Sequence, residues 1–275
     1  MFTELLDDEM FSARALSTQW VDCRILRIGE HVTQEKINES RNLDIDNLPV
    51  SDDSGVLGYA RVADLHRDQV VNASHLFRRY AESIIGPSER LLGLARRFLD
   101  DGVERYQLYF VSDGSSNPLG VMTYADLNRR SSYIYCYVMI SFLEQWIKKE
   151  IVSKYQTPGR RLRDDWMSSL NRDRTAELLL WAKEKSQTTL GVANLSDLIQ
   201  VLRRDIKPRT DRSFRRMLAS AEALRPRIAH PVKLLVPRSD SNSLSHLIDF
   251  WQEMMPIIQQ NDFNEKNGGW PVHPT

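Results

Sequence analysis

Arg225 and His230 stand five residues apart in the stretch LRPRIAHPVK (224–233), and a proline follows each of them. A guanidinium offers a planar fork that grips two oxygens of an anion at once. An imidazole titrates near neutrality and can move a proton. The pair therefore has the makings of half an active site. The plainer alternative is a helix C-terminus, whose exposed carbonyls favour nearby cations.

The elements around the pair are helical by pattern. SYIYCYVMISFLEQWIKKEIVSKY (132–155) predicts one long amphipathic helix, and four further helical stretches follow up to about residue 262 with no strand signal. NLSDLIQVLRRD predicts a short helix capped by Asn194 or Ser196. The last helix opens with a serine cap and is expected to break at Pro256, and 263–275 reads as a loose tail. A residue before proline is pushed out of the α region. The helix from Ser213 is therefore expected to kink or end near Arg225, resume at Pro226 and stop at His230. Nine Lys and Arg lie between Arg203 and Arg227, against Asp205, Asp211 and Glu222. That density reads as a footprint for an RNA backbone or as a solvated helix face. Tyr133, Tyr137, Phe142 and Trp146 put much aromatic surface on one helix, which predicts a homodimer through residues 131–262.

Residues 1–130 have a different grammar. LPVSDDSGVLGYARVADLHR (48–67) repeats as YFVSDGSSNPLGVMTYADLNR (109–129): Val-Ser-Asp, then Leu-Gly, then Ala-Asp-Leu and Arg recur at an offset of about 60 residues. Each copy predicts a strand, a polar turn, a second strand and the start of a helix, with a helical stretch before it. This tandem pattern resembles the CBS domain pair, and 109–130 is similar to the closing segment of that family. The resemblance implies clefts that bind an adenine nucleotide (ATP, ADP or AMP) as a regulatory ligand. It carries over Thr123 and Asp126 in the second copy, and Asp64 in the first, where Arg61 takes the place of the threonine. A carboxylate can accept both ribose hydroxyls, a hydroxyl at a helix N-terminus can meet phosphate, and Arg61 can bind phosphate directly. Thr123 and Asp126 read equally as an N-cap threonine with an aspartate in the first turn.

The helical half, with Arg-x4-His on its penultimate helix, resembles the HEPN superfamily. That resemblance implies a metal-independent endoribonuclease, a toxin or defence effector in some settings, with composite sites in a homodimer. Arg225 would hold the scissile phosphate and His230 would transfer the proton while the RNA's own 2′-hydroxyl attacks. Catalytic members usually carry a polar residue after the arginine; here it is Pro226.

Composition sets the frame. The chain has 275 residues, 41% hydrophobic and 27% charged, which fits two globular domains rather than a disordered or fibrous protein. Net charge is zero, yet residues 1–130 hold 15 Lys and Arg against 21 Asp and Glu, and 131–275 hold 22 against 16. The acidic N-terminus lacks the pattern of a secretory signal, no apolar run reaches membrane-spanning length, and two distant cysteines predict a reduced, cytoplasmic protein. No ligand spacing points to a metal site or to a cofactor for catalysis. The expectation is an α+β chain: a tandem CBS pair (1–130), a HEPN-like all-α bundle (131–262) and a tail, acting as a nucleotide-regulated ribonuclease. The alternative is a non-catalytic, nucleotide-responsive dimerisation or binding module for RNA or a partner protein.

Overall fold

The structure is a computed structural model. It describes residues 9–43, 45–100, 108–115, 117–156, 162–206, 212–229, 234–237 and 241–266, the backbone alone at 241 and 260–266. The chain forms two compact units. Among the described residues, one holds those from 9 to 133 and from 235 to 244, and the other those from 134 to 234 and from 245 to 266.

The first unit is built from the repeat. Two four-stranded sheets contain β1 (Thr18–Gln19), β2 (Leu26–Arg27), β3 (Asn47–Asp52), β4 (Gly55–Arg61), β5 (Arg78–Arg79), β6 (Ile84–Ile85), β7 (Leu108–Val111) and β8 (Gly120–Thr123). The hairpins β3–β4 and β7–β8 are the two repeat copies. Their turns use the same device: Asp52 Oδ1 accepts from the Ser54 N–H at 2.8 Å, and Asp113 Oδ1 from the Ser115 N–H at 2.9 Å. The sheet orders are β1-β8-β7-β6 and β2-β3-β4-β5. Thus β1, from the first copy, pairs antiparallel with the second hairpin, and β5, from the second copy, pairs antiparallel with the first. The copies exchange an edge strand reciprocally, which leaves each hairpin covered on both sides.

The exchange explains the repeated Leu-Gly. A Cβ on Gly58 would lie 2.1 Å from the Arg78 carbonyl oxygen, and one on Gly120 would lie 2.4 Å from the Thr18 carbonyl oxygen. Each glycine is where the other copy's strand crosses, and only a residue without Cβ admits it. Between the hairpins lies a shared core of Tyr59, Leu108, Phe110 and Val121. Trp20 and Tyr80, each just after an exchanged strand, meet the Phe110 ring edge-on at 6.3 and 5.0 Å between centroids. The helices α1 (Gln34–Asn42), capped by Thr33, and α2 (Leu91–Asp100) precede the hairpins as the pattern predicts.

The second unit is helical, and its described residues form no strand. The long helix α3 (Arg130–Tyr155) begins in the first unit and buries Tyr135, Cys136, Met139, Ile140, Leu143, Trp146, Ile147 and Ile151, a stripe recurring every three or four residues. It is followed by α4 (Arg172–Glu184), α5 (Leu195–Val201), α6 (Arg212–Ala229) and α7 (Ser241–Lys266). Asn194 is the cap of α5. A π-turn, Leu202–Ile206, extends α5. The ring of Trp251 on α7 stands edge-on to Tyr135 at 5.2 Å. Two expectations change. The helix α6 runs unbroken through Pro226, and α7 runs through Pro256 to Lys266, past the expected start of the tail. Proline in a helix costs about 3 kcal/mol. Burial of Met217, Leu218, Ala221 and Leu224 on α6, and of Phe250, Trp251, Met254 and Ile258 on α7, offsets that cost by holding both helices in place. No described helix is long and apolar enough to cross a membrane.

Candidate functional site

Thr123 ends β8 and caps a single 3-10 turn, Tyr124–Asn128. Asp126 sits at the third position of that turn and is 8% exposed. Its Oδ2 accepts from the Thr123 N–H at 2.7 Å and from the Thr123 hydroxyl at 3.1 Å. Its Oδ1 accepts from Arg129 Nε at 2.8 Å, while Arg129 Nη2 donates to Thr18 Oγ1 at 2.9 Å. Threonine 18 belongs to β1, so the exchanged strand completes the cluster. Burial raises the Asp126 carboxyl above the usual aspartate range, against the opposing pull of the Thr123 and Arg129 donors. The carboxylate is a preformed acceptor in a place that disfavours its charge.

The first copy is built differently. Asp64 lies in the equivalent short turn, Val62–Asp64, and its side chain is 50% exposed. It is paired with Arg61, whose Nε lies 2.5 Å from Asp64 Oδ2 and whose guanidinium stacks over Phe77 at 4.4 Å from the ring centre. The residue in the threonine's place therefore neutralises the neighbouring carboxylate. The two carboxylates are equivalent in sequence and unlike in surroundings.

In the helical unit, Arg225 lies near the C-terminal end of α6 with its side chain 45% exposed, and its Nε stands 3.7 Å from Glu144 Oε1 on α3. His230 lies outside the described residues, so its distance from Arg225 is not part of the structure. Arg225 itself is in regular helix rather than at a break. The basic cluster is partly engaged within the unit: Arg203 with Glu222 at 3.5 Å, Arg216 with Asp249 at 3.5 Å, and Arg204 with the Ser169 carbonyl at 3.0 Å. Lys207, Arg209 and Asp211 lie outside the described residues. The aromatic residues of α3 are also used within the chain. Phe142 and Trp146 are buried, Trp146 against Phe214 at 5.9 Å, and the Tyr133 hydroxyl accepts from the Leu235 N–H at 2.9 Å. Of the four, Tyr137 faces solvent, 63% exposed. Among the described residues no three His, Cys, Asp or Glu side chains cluster as metal ligands would.

Sequence reasoning missed Arg129 and Asn128. The amide of Asn128 pairs with the backbone of Val236: the Val236 N–H donates to Asn128 Oδ1 at 2.8 Å, and Asn128 Nδ2 donates to the Val236 carbonyl at 3.1 Å. The partners are 108 residues apart, and only the asparagine's place directly after Asp-Leu hinted at a role.

No protein-family model matches the chain, and no curated protein matches it either. Solved structures similar to part of it include CBS-domain structures. CBSX2 in complex with AMP is 17% identical over 45% of this chain and 98% of that one, with a TM-score of 0.37. The CBS domains of a transcriptional regulator from Streptococcus pneumoniae are 17% identical over 42% and 95%, at 0.35. The CBS domain of the bacterial CNNM/CorC family Mg2+ transporter in complex with ATP is 17% identical over 46% and 89%, at 0.32.

Proposed function

We propose that the first unit is a tandem CBS pair that senses an adenine nucleotide, and that the helical unit is the effector it regulates. One observation carries this reading: the Thr123–Asp126 cap is a buried, preformed acceptor closed by Thr18 of the exchanged strand and by Arg129. A buried carboxylate costs stability unless its hydrogen bonds are in place, so such a site is kept for a reason. Ribose hydroxyls are the donors that suit it, and a phosphate suits the adjacent Thr123 hydroxyl. Asp64, already paired with Arg61, is the weaker of the two sites. The adenine base is the expectation that comes with the resemblance of residues 109–130 to CBS segments.

For the effector, the reading is a HEPN-like ribonuclease working without metal, with Arg225 as the phosphate-holding group and His230 as the proton-transfer group in a homodimer. The exposed position of Arg225 beside Glu144 supports it, since an exposed guanidinium is available to an anion that outcompetes a glutamate. The test is incubation of the purified chain with total RNA in chelator, with and without AMP. Cleavage that AMP changes, that His230→Ala abolishes and that Arg225→Lys weakens supports the reading. Intact RNA under every nucleotide condition leaves a non-catalytic module that binds RNA or a protein.

A further inference from the structure

We propose that Asn128 is a positioning residue that couples the Thr123–Asp126 cap to the Leu235–Pro237 segment, so that nucleotide occupancy changes the hold on that segment. The inference rests on the sensing role of the cap. The chain passes from the helical unit to the first at Leu234–Leu235 and back at Leu244–Ser245. Leu235 and Val236 have no exposure to solvent, so their backbone groups depend on protein partners. Those partners include the Asn128 amide, at two points on Val236, and the Tyr133 hydroxyl on the Leu235 N–H. Among side chains of this size only an amide can donate and accept side by side, as a neighbouring strand would. Losing the grip strands a buried N–H and a buried C=O together, which makes the grip nearly all-or-none.

Asn128 is the last residue of the same five-residue turn that carries Asp126. The backbone ties the parts together. Arg129 N–H donates to the Asp126 carbonyl at 3.2 Å, and the Arg129 carbonyl accepts from Ser132 N–H at 2.9 Å, opening α3, which bears Tyr133. The carboxylate of Asp126 has roughly four acceptor positions and three are filled. A ribose diol needs two, so one present donor has to leave. Both Thr123 donors sit on Oδ2, so a diol takes Oδ1, whose present donor, the Arg129 side chain, is 41% exposed and can swing away. Nucleotide binding thus displaces Arg129, shifts the turn 124–129, and moves both groups that hold Leu235 and Val236. Two of the described passages between the units, α3 at Tyr133 and the segment at Leu235, involve Tyr133 and Asn128, both within seven positions of Asp126 in sequence.

The experiment measures amide hydrogen exchange at Leu235 and Val236, with and without millimolar AMP, beside calorimetric AMP binding, in wild type, Asn128→Ala and Tyr133→Phe. Wild type should bind AMP and change exchange at Val236 by at least roughly fivefold, the lower end of ordinary allosteric coupling. Asn128→Ala should still bind AMP while exchanging fast with or without it. Tyr133→Phe should keep the AMP response at Val236. Should Asn128→Ala fail to fold, Asn128→Asp, which keeps the acceptor and removes the donor, must lose the response. Wild type that binds AMP with unchanged exchange overturns the coupling and leaves sensing intact, as does an Asn128 variant that responds like wild type. Wild type that fails to bind AMP overturns the sensing role and the coupling with it.

Discussion

Arg129 donates from Nε to Asp126 Oδ1 at 2.8 Å across one turn of 3-10 helix, closing the acceptor that a ligand would use. In the other repeat copy, Asp64 pairs with Arg61, three residues before it, while Arg67, in the place of Arg129, pairs with Asp68, and the Arg61–Asp64 pair is partly exposed. One repeat unit has produced a latched, buried acid and an exposed ion pair. The difference predicts that only the second copy has a carboxylate in reserve for a ligand.

The latch competes with the ligand. Arg129→Ala should tighten AMP binding by roughly three- to tenfold, since one intramolecular hydrogen bond is worth about 1 kcal/mol net. Calorimetry on the variant reads this directly. Weaker binding would mean that the guanidinium contacts the nucleotide itself.

Acidity tests the surroundings of Asp126. Burial raises its folded pKa above the ordinary 3.8, so the folded chain binds its proton more tightly than the unfolded chain. The resulting stability is fully present below the unfolded value and is lost as pH rises through the raised folded value. The melting temperature of wild type minus that of Asp126→Asn should therefore fall as pH is raised from below 3.8. A difference that grows over the same interval would show that the Thr123 and Arg129 donors outweigh burial.

Both cysteines should be sluggish thiols. Burial pushes Cys23 up to about 11, aided by the Asp22 and Asp126 charges, and Cys136, fully buried, is raised too. At pH 8 the thiolate fraction of Cys23 is about a hundredfold below that of an ordinary thiol, and the thiolate is the nucleophile. Iodoacetamide should modify neither residue quickly in the native chain and both after denaturation. Rapid native labelling of Cys23 would contradict the packing around β1.

The helical unit has a largely buried ion pair. Arg174 holds Asp197 with two hydrogen bonds, 2.8 and 2.7 Å, and stacks on Trp181 at 4.7 Å. Asp197 also caps α5 with Asn194. Breaking such a buried pair by removing one partner costs roughly 3–5 kcal/mol. Urea unfolding of Asp197→Ala should show a loss of that size, with AMP binding by the first unit unaffected.

The two hairpins and the main helices were legible because their signals are long: a repeated turn chemistry, and apolar residues at helical spacing over many positions. The exchange of β1 and β5 was not legible. Strands of two residues carry no alternation, and their trace in the sequence, the Leu-Gly pairs, has meaning only once Thr18 and Arg78 are seen crossing them. Thr123 and Asp126 could be read as a cap because a cap is local, and the structure forms it. Arg129 as a latch and Asn128 as a grip on Val236 depend on partners far away in sequence. The prolines misled for the opposite reason. Local preference puts a break at Arg225, and burial along α6 overrides it. Some of the aromatic residues of α3 are expected at a second subunit; Phe142 and Trp146 are buried within the unit, and Tyr137 is exposed.

The central claim is that the Thr123–Asp126 cap is an adenine-nucleotide site, and titration of AMP into the intact chain tests it most directly. Wild type should bind saturably and gain melting temperature with ligand concentration by mass action. Asp126→Ala should lose both effects, and Asp64→Ala should keep them. Absence of binding by wild type at millimolar AMP, or unchanged binding in Asp126→Ala, would contradict the account.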